Sequence, residues 1–425
     1  MIPEQDLNSR ALKVVLTLKK NGYEAYIVGG AVRDLILDLH PKDFDVATNA
    51  TPEQIKAVFR NCRLIGRRFR LAHIYFGREI IEVATFRGSH ESAEHDSHAQ
   101  TADCGRILRD NVYGTFEEDA IRRDFTINAM YFDPSTMDVI DYADGFTDLK
   151  NRQIRLIGDP EQRYREDPVR ILRAIRFAVK LGFDIEQTTE EPIKELSHLL
   201  SNIPPARLFD ECLKLFMGGK AFATYHKLCE YGVFKILFPM TAKAIAEDES
   251  GCAIAMLEQA FKNTDIRIEQ GKPVTPAFLF ATILWEPVRQ IIEANCEERR
   301  PINEIYFEAA EEIAREQAQI VSLPKRFSMP MKEIWRMQPR YFSRSGKRPF
   351  RLLEHQRFRA AYDFLLLRAG SGEVDQEVAD WWTKFQEVDS SERSAMLIQQ
   401  PKKRRHGRGR HSKHGRTKQI PSQQH

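Results

Sequence analysis

Near the start of the chain apolar residues return at helical spacing. Leu12, Val15, Leu16 and Leu18 fall largely on one face of residues 9–20, and Gly22 supplies a stop. The pattern then changes to short apolar runs bounded by turns. Residues 25–28, 44–47, 71–76, 80–86, 127–132 and 138–141 predict strands, with a helix-like stretch at 52–59 between the second and third. Residues 88–108 interrupt this alternation with a polar loop.

Strand signals fade from about Asp167. Over 167–181 the apolar positions Val169, Leu172, Ile175, Phe177 and Val179 predict a helix, with Asp167 at its N-cap and Pro168 in its first turn. Further helical patterns follow at 206–218, 221–231, 252–264 and 303–319. The reading is an α+β protein. Residues 1–150 form a head of mixed sheet and helices, 151–238 a helical neck, and 239–395 a helical body. Residues 396–425 form a disordered basic tail.

Charge sharpens this division. The net charge is only +3, yet nine Lys/Arg and no acid lie between Lys402 and Lys418. Twelve more Lys/Arg, interleaved with Trp335, Tyr341, Phe342, Phe350, Phe358 and Tyr362, lie in 325–368. Clustered cations with aromatics suit RNA, although ordinary solvated helix faces over a buried aromatic core carry the same pattern. The six cysteines form no CxxC pair and read as reduced thiols. No signal peptide is visible, and the most apolar run, 277–285, is about half the ~20 residues of a membrane span. A cytoplasmic protein without a transmembrane segment is expected. The histidines His90, His95 and His98 among Glu91, Glu94 and Asp96 are too irregularly spaced to argue for a metal.

The candidate chemistry begins at Tyr26–Val46. A strand runs into Gly29-Gly30 and a helix opens with Ala31-Val32-Arg33-Asp34. Paired glycines let backbone approach a phosphate closely and leave amides free at a helix start. Lys42-Asp43-Phe44-Asp45-Val46 follows, and on a strand Asp43 and Asp45 share a face. Two converging carboxylates near a phosphate cradle make a divalent-metal site, and two ions there align in-line phosphoryl transfer. An isolated DxD is more often a solvated strand; the glycine turn upstream reverses that. Glu82 sits in a third strand, equally readable as a partner of this site or as an edge-strand charge. Arg122-Arg123-Asp124 then opens another strand, which suits a third carboxylate beside a triphosphate-binding arginine.

GGAVRD, DFDV, RRDFTINA and REDPVRILRAIRF, spanning Tyr26 to Phe177, resemble the nucleotidyltransferases related to DNA polymerase β. They resemble in particular the branch holding bacterial poly(A) polymerases and CCA-adding tRNA nucleotidyltransferases. The segments 64–73, 202–209 and 347–365 are similar to the poly(A) polymerase side of that branch. The arm before the head is short for the family, which leaves room for a functional start upstream.

The resemblance implies a polymerase β-like head followed by all-α neck and body. It implies that Gly29, Gly30 and Arg33 hold the triphosphate with Arg123 beside the nucleotide. Asp43 and Asp45 bind Mg²⁺ (or Mn²⁺), and Asp124 completes the catalytic acids. Asp167, Arg170 and Arg173 meet the incoming base. Asp167 and Arg170 stand one helical turn apart, able to present an acceptor and a donor together, or to pair with each other. The implied activity is template-independent addition of AMP from ATP to RNA 3′ ends, in mRNA processing and decay. A monomer is expected, with RNA-decay proteins as further partners. The rivals are CCA addition to tRNA and a non-catalytic RNA-binding protein on the same scaffold.

Overall fold

The computed structural model describes residues 2–66, 70–88, 99–101, 107–110, 113–296 and 300–398. Arg67–Phe69 of the 64–73 segment, the histidine-rich part of 88–108 and the basic tail at 402–418 lie outside the described residues.

Helix α1 (Ser9–Lys20) leads into strand β1 (Ala25–Val28), helix α2 (Gly30–Ile36), strand β2 (Asp45–Thr48) and helix α3 (Pro52–Val58). Strands β3 (Cys62–Ile65), β4 (Leu71–Phe76) and β5 (Glu79–Thr85) follow, with a two-stranded ribbon of β6 (Ala99–Thr101) and β7 (Ile107–Asp110). Helix α4 (Phe116–Ile121) then precedes β8 (Met130–Asp133) and β9 (Asp138–Asp141). Seven strands form one sheet in the order β3-β4-β5-β2-β1-β8-β9. Every pairing in it is antiparallel except β2 with β5, which is parallel. β5 is therefore an inner strand, and Glu82 is not an edge charge.

The sheet is pinned by what each face buries. Ile81 and Val83 of β5 and Val46 of β2 point into the main core. α1 lays Ala11, Val14, Val15 and Leu18 over the same core, while Leu16, expected on that face, is exposed. Each Val, Leu or Ile side chain among these contributes roughly 1.5–3 kcal/mol of burial. The other face carries a small cluster of Val28, Ala47, Phe86, Ala120 and Tyr131. A one-residue slip of any strand would exchange the two faces.

One expected strand changes character. Residues 126–128 form a 3₁₀ turn, and the strand begins only at Met130. Asp124 thus precedes a turn and opens no strand; Phe125 bridges to Leu156 instead. The alternation in FTINAMYF imitates a strand, but Thr126 donates to Asp148 and the chain bends there.

After helix α5 (Gly145–Asn151) the chain is helical apart from the short parallel pair β10 (Gln153–Ile154) and β11 (Asp184–Ile185). Helix α6 (Pro160–Glu166) runs into α7 (Val169–Leu181). Asp167 ends α6, and its Oδ1 accepts from the Val169 amide at 3.3 Å. Gly182, at φ 66°, closes α7 in the left-handed conformation that favours glycine. α7 buries Ile171, Leu172, Ala174 and Ile175, and leaves Arg170, Arg173 and Arg176 along another face. Helices α8 (Gln187–Leu196) and α9 (Pro205–Phe216) follow, and further helices continue to Ala395. One continuous core runs from Ile2 to Leu367, and a second gathers Tyr341, Phe358, Trp382 and Phe385. Trp335, Tyr341, Phe358 and Tyr362 of the basic zone are buried in these cores, so they are no stacking platform for RNA; Phe342 is exposed.

Candidate active site

Registered partners on neighbouring strands point to one face. The pairings His73↔Glu82, Glu82↔Asp45, Asp45↔Val28 and Val28↔Tyr131 set one row of side chains across the sheet. Asp43 joins it from the loop before β2. Asp43, Asp45 and Glu82 line a cleft of ≈ 930 Å³ together with Lys42 and Arg78. At the rim Arg10 pairs with Glu79, and Asn8 donates to the same carboxylate at 2.6 Å.

The carboxylates crowd one another. Asp45 opens to the cleft, but protein packed behind it desolvates it. Burial first, then the charges of Glu82 and Asp43, push its carboxyl up to about 6, against an opposing pull from Arg123. Glu82 is met from the far side by His73, with Nε2 at 3.4 Å from Oε1. Among the described residues no group of three or more His, Cys, Asp or Glu is placed to hold a metal ion by itself. Hard carboxylate oxygens on an open wall are the donor set Mg²⁺ or Mn²⁺ takes when substrate phosphates supply the remaining ligands. The cluster therefore fits a divalent ion, and its mutual repulsion gives that ion a reason to bind.

Beside the carboxylates stands Arg123. Its Nε donates to the Tyr131 hydroxyl at 2.9 Å and its Nη2 to Asp119 at 3.0 Å, while Tyr131 donates to Asp119 at 2.6 Å. Despite its burial, Arg123 and Tyr131 hold Asp119 below the usual carboxylate range. This triangle fixes a cation next to Asp45. Gly29, at φ 76°, turns the chain beside it: a Cβ there would lie 3.7 Å from Arg123 Nη1. Glycine thus keeps the approach to that guanidinium open.

Other expected residues are placed differently. Arg33 is buried beneath the glycine turn, where it donates to Asp34 and, at 2.6 Å, to Asn128. A Cβ on Gly30 would meet Arg33 Nη2 at 3.5 Å. Asp124 does not join the carboxylate row. It accepts from Arg173 Nε at 2.5 Å and from its neighbour's amide at 2.9 Å, and although burial opposes it, Arg173 holds its carboxyl below the ordinary range. Asp167 and Arg170 do not bond each other through their side chains. Asp167 accepts from Arg207 of α9 at 2.7 Å. Arg170 Nη1 donates to Glu166 at 2.9 Å and to the Arg163 carbonyl at 2.6 Å. Arg163 in turn grips the carbonyls of Arg122 and Arg123 at 2.8 and 2.7 Å.

Sequence reasoning missed His73, Asp119, Tyr131, Arg163 and Arg207. Asp119 stands four residues before Arg123, a legible helical spacing. Arg163 and Arg207 act across about forty residues and leave no local signal, whereas His73 meets Glu82 across the β4–β5 hairpin and Tyr131 lies eight residues from Arg123.

Three family models match in order. They are the poly A polymerase head domain over residues 25–155, the probable RNA and SrmB-binding site of polymerase A over 182–245, and the polymerase A arginine-rich C-terminus over 299–418. Poly(A) polymerase I of Escherichia coli O6:H1 is 49% identical over 403 residues, covering 93% of this chain and 86% of the relative. A CCA-adding enzyme of Lactobacillus helveticus is 39% identical over 213 residues, 50% of this chain and 51% of that one. Among solved structures, a CCA-adding enzyme in complex with ATP shares the fold at a TM-score of 0.60 and 22% identity, covering 90% of this chain and 84% of the other. Sheet topology, the order of the three matches and near-half identity along almost the whole length agree: the chain is an enzyme of the poly(A) polymerase family.

Proposed function

We propose that the chain transfers AMP from ATP to the 3′-hydroxyl of RNA without a template. The RNA 3′-hydroxyl gives up its proton to water and its oxygen bonds the α-phosphorus; the bond from that phosphorus to the β-bridging oxygen breaks, and pyrophosphate leaves with those electrons. The observation that carries this reading is the parallel register of Asp45 with Glu82, with Asp43 beside them on one cleft. Asp43, Asp45 and Glu82 would hold one or two Mg²⁺ or Mn²⁺ ions, which would supply a lowered pKa for the 3′-hydroxyl and charge neutralisation for the triphosphate. The chain's own residues do the rest. Arg123, immobilised by Asp119 and Tyr131, offers a fixed charge to the phosphates past Gly29. Arg207 and Glu166 hold Asp167 and Arg170 still, and Arg170 spends only Nη1 on those bonds. Its remaining donors are available to a nucleobase. Asp124 anchors Arg173 at the joint of head and neck. Arg33 acts from beneath the glycine turn.

CCA addition is disfavoured because the CCA-adding relative matches about half the chain, whereas the poly(A) polymerase relative extends through the body. A non-catalytic role is disfavoured by three carboxylates left facing a cleft. The test offers ATP and CTP separately, with an unstructured RNA and with a tRNA lacking its 3′ end. Long A tracts on plain RNA support the reading; extension of the tRNA alone, halting after CCA, overturns it. Tails of this kind place the enzyme in RNA processing and decay, and loss of the protein should then alter the lifetimes of adenylated RNAs.

A further inference from the structure

The twelve cations of residues 325–368 are not an even basic face. Lys332 and Arg336 both bond Glu311, and Arg344 bonds Glu377. Arg357, Arg359 and Arg368 are taken up by Glu333, Asp363 and Glu373. Arg340, Arg348 and Arg351 have no carboxylate partner among the described residues, and all three line a single pocket of ≈ 450 Å³. It opens where the helix Lys325–Tyr341 ends, against the short helix Arg348–Leu353 and the start of the helix Ile302–Ala318. Ser343 adds a hydroxyl, and Ile302 and Leu352 give an apolar wall.

We propose that this pocket binds a phosphorylated nucleotide unit, at a second site apart from the cleft on the head sheet. Three like charges around one hollow, with no acid among the described residues that line it, make a positive potential that an anion relieves. Guanidinium forks match phosphate oxygens two at a time, where a lysine offers a point charge. The volume lies in the range of small-molecule sites and exceeds what a lone phosphate needs. The apolar wall offers a surface for a sugar or base. The unit comes either from the body of a bound RNA or from a free nucleotide. The proposal rests on the adenylyl-transfer reading only for the presence of RNA; its test measures binding, so failure of one leaves the other standing.

The test compares the full chain with R340Q/R348Q/R351Q. In the first arm, a labelled short oligo(A) RNA is titrated over a salt series. In the second, ADP is titrated by calorimetry. If the pocket takes RNA, the triple variant binds oligo(A) at least about tenfold more weakly. Its log–log salt slope falls by about 2, as three lost contacts at ~0.7 each require. If the pocket takes free nucleotide, the native chain binds two ADP and the variant one. Unchanged RNA affinity, salt slope and ADP stoichiometry together overturn the proposal. Should the glutamine variant unfold, R340K/R348K/R351K keeps the charge; weaker binding at an unchanged slope then supports the fork geometry, and unchanged binding overturns it.

Discussion

Asp45 lies between two carboxylates and one guanidinium, and its neighbours decide how it behaves. Its carboxyl is pushed up to about 6, against ~3.9 in an unfolded chain. A raised acid favours the folded state when protonated, so its ionisation destabilises the fold. That cost is fully present above about pH 6 and vanishes below about pH 4. In EDTA, Asp45→Asn should therefore stabilise the protein at pH 8 by about 1 kcal/mol, a figure reduced for the screening by cleft water, and by nothing at pH 4. Thermal melts at the two pH values check this, and the same variant should be inactive. Glu82 and Asp124 separate by a second measurement. Glu82→Gln should lower AMP incorporation by roughly 10²–10³ and raise the divalent-ion concentration needed. Asp124→Asn should leave the ion titration unchanged, because its partner is Arg173. The DxD pair was legible from its two-residue spacing. Glu82's place beside Asp45 was left open, because nothing local to Ile80–Val83 says which strand will lie beside it.

Between elements, the joint of head and neck is made largely by arginines. Arg163 of α6 holds two carbonyls of the 122–124 segment, and Arg173 of α7 holds Asp124. Arg207 of α9 reaches back to Asp167 between α6 and α7. Arg173→Ala leaves a buried carboxylate without its counter-charge and should destabilise the protein by about 3 kcal/mol. Adding Asp124→Asn to that variant should restore part of the loss, read as a coupling energy in a double-mutant cycle by chemical denaturation. The helices themselves were readable: α7 falls within its expected span because its apolar residues repeat at helical spacing and Gly182 stops it. The partners of Asp124 and Asp167 were not readable. REDPVR offers Asp167 a near arginine at 170, but Arg170 turns back to Glu166 at the end of α6 and leaves Asp167 to a helix about forty residues on.

At the scale of the whole molecule, the head, neck and most of the body share one core, while the C-terminal helices have their own around Trp382. Trp382 is wholly buried and donates to the Tyr341 carbonyl at 2.8 Å. Trp382→Ala should cost that region about 3–5 kcal/mol. Hydrogen exchange should speed up in helices spanning 348–395 while β1, β2 and β5 keep their protection. The sequence's basic zone hid this division. Its cations look continuous along the chain, yet half of them are spent on Glu311, Glu333, Asp363, Glu373 and Glu377. Composition reports how many charges exist; only packing reports which are neutralised.

The one parallel pairing in the sheet joins β2 to β5 across α3, β3 and β4. Antiparallel hairpins such as β4–β5 close locally, whereas this contact must wait for a long loop to close. Asp45 and Glu82 become neighbours only when it does. On the mechanism proposed above, a chain that has built its helices and hairpins but not this pairing lacks the carboxylate wall, so AMP incorporation during refolding should recover no earlier than the β2–β5 pairing does.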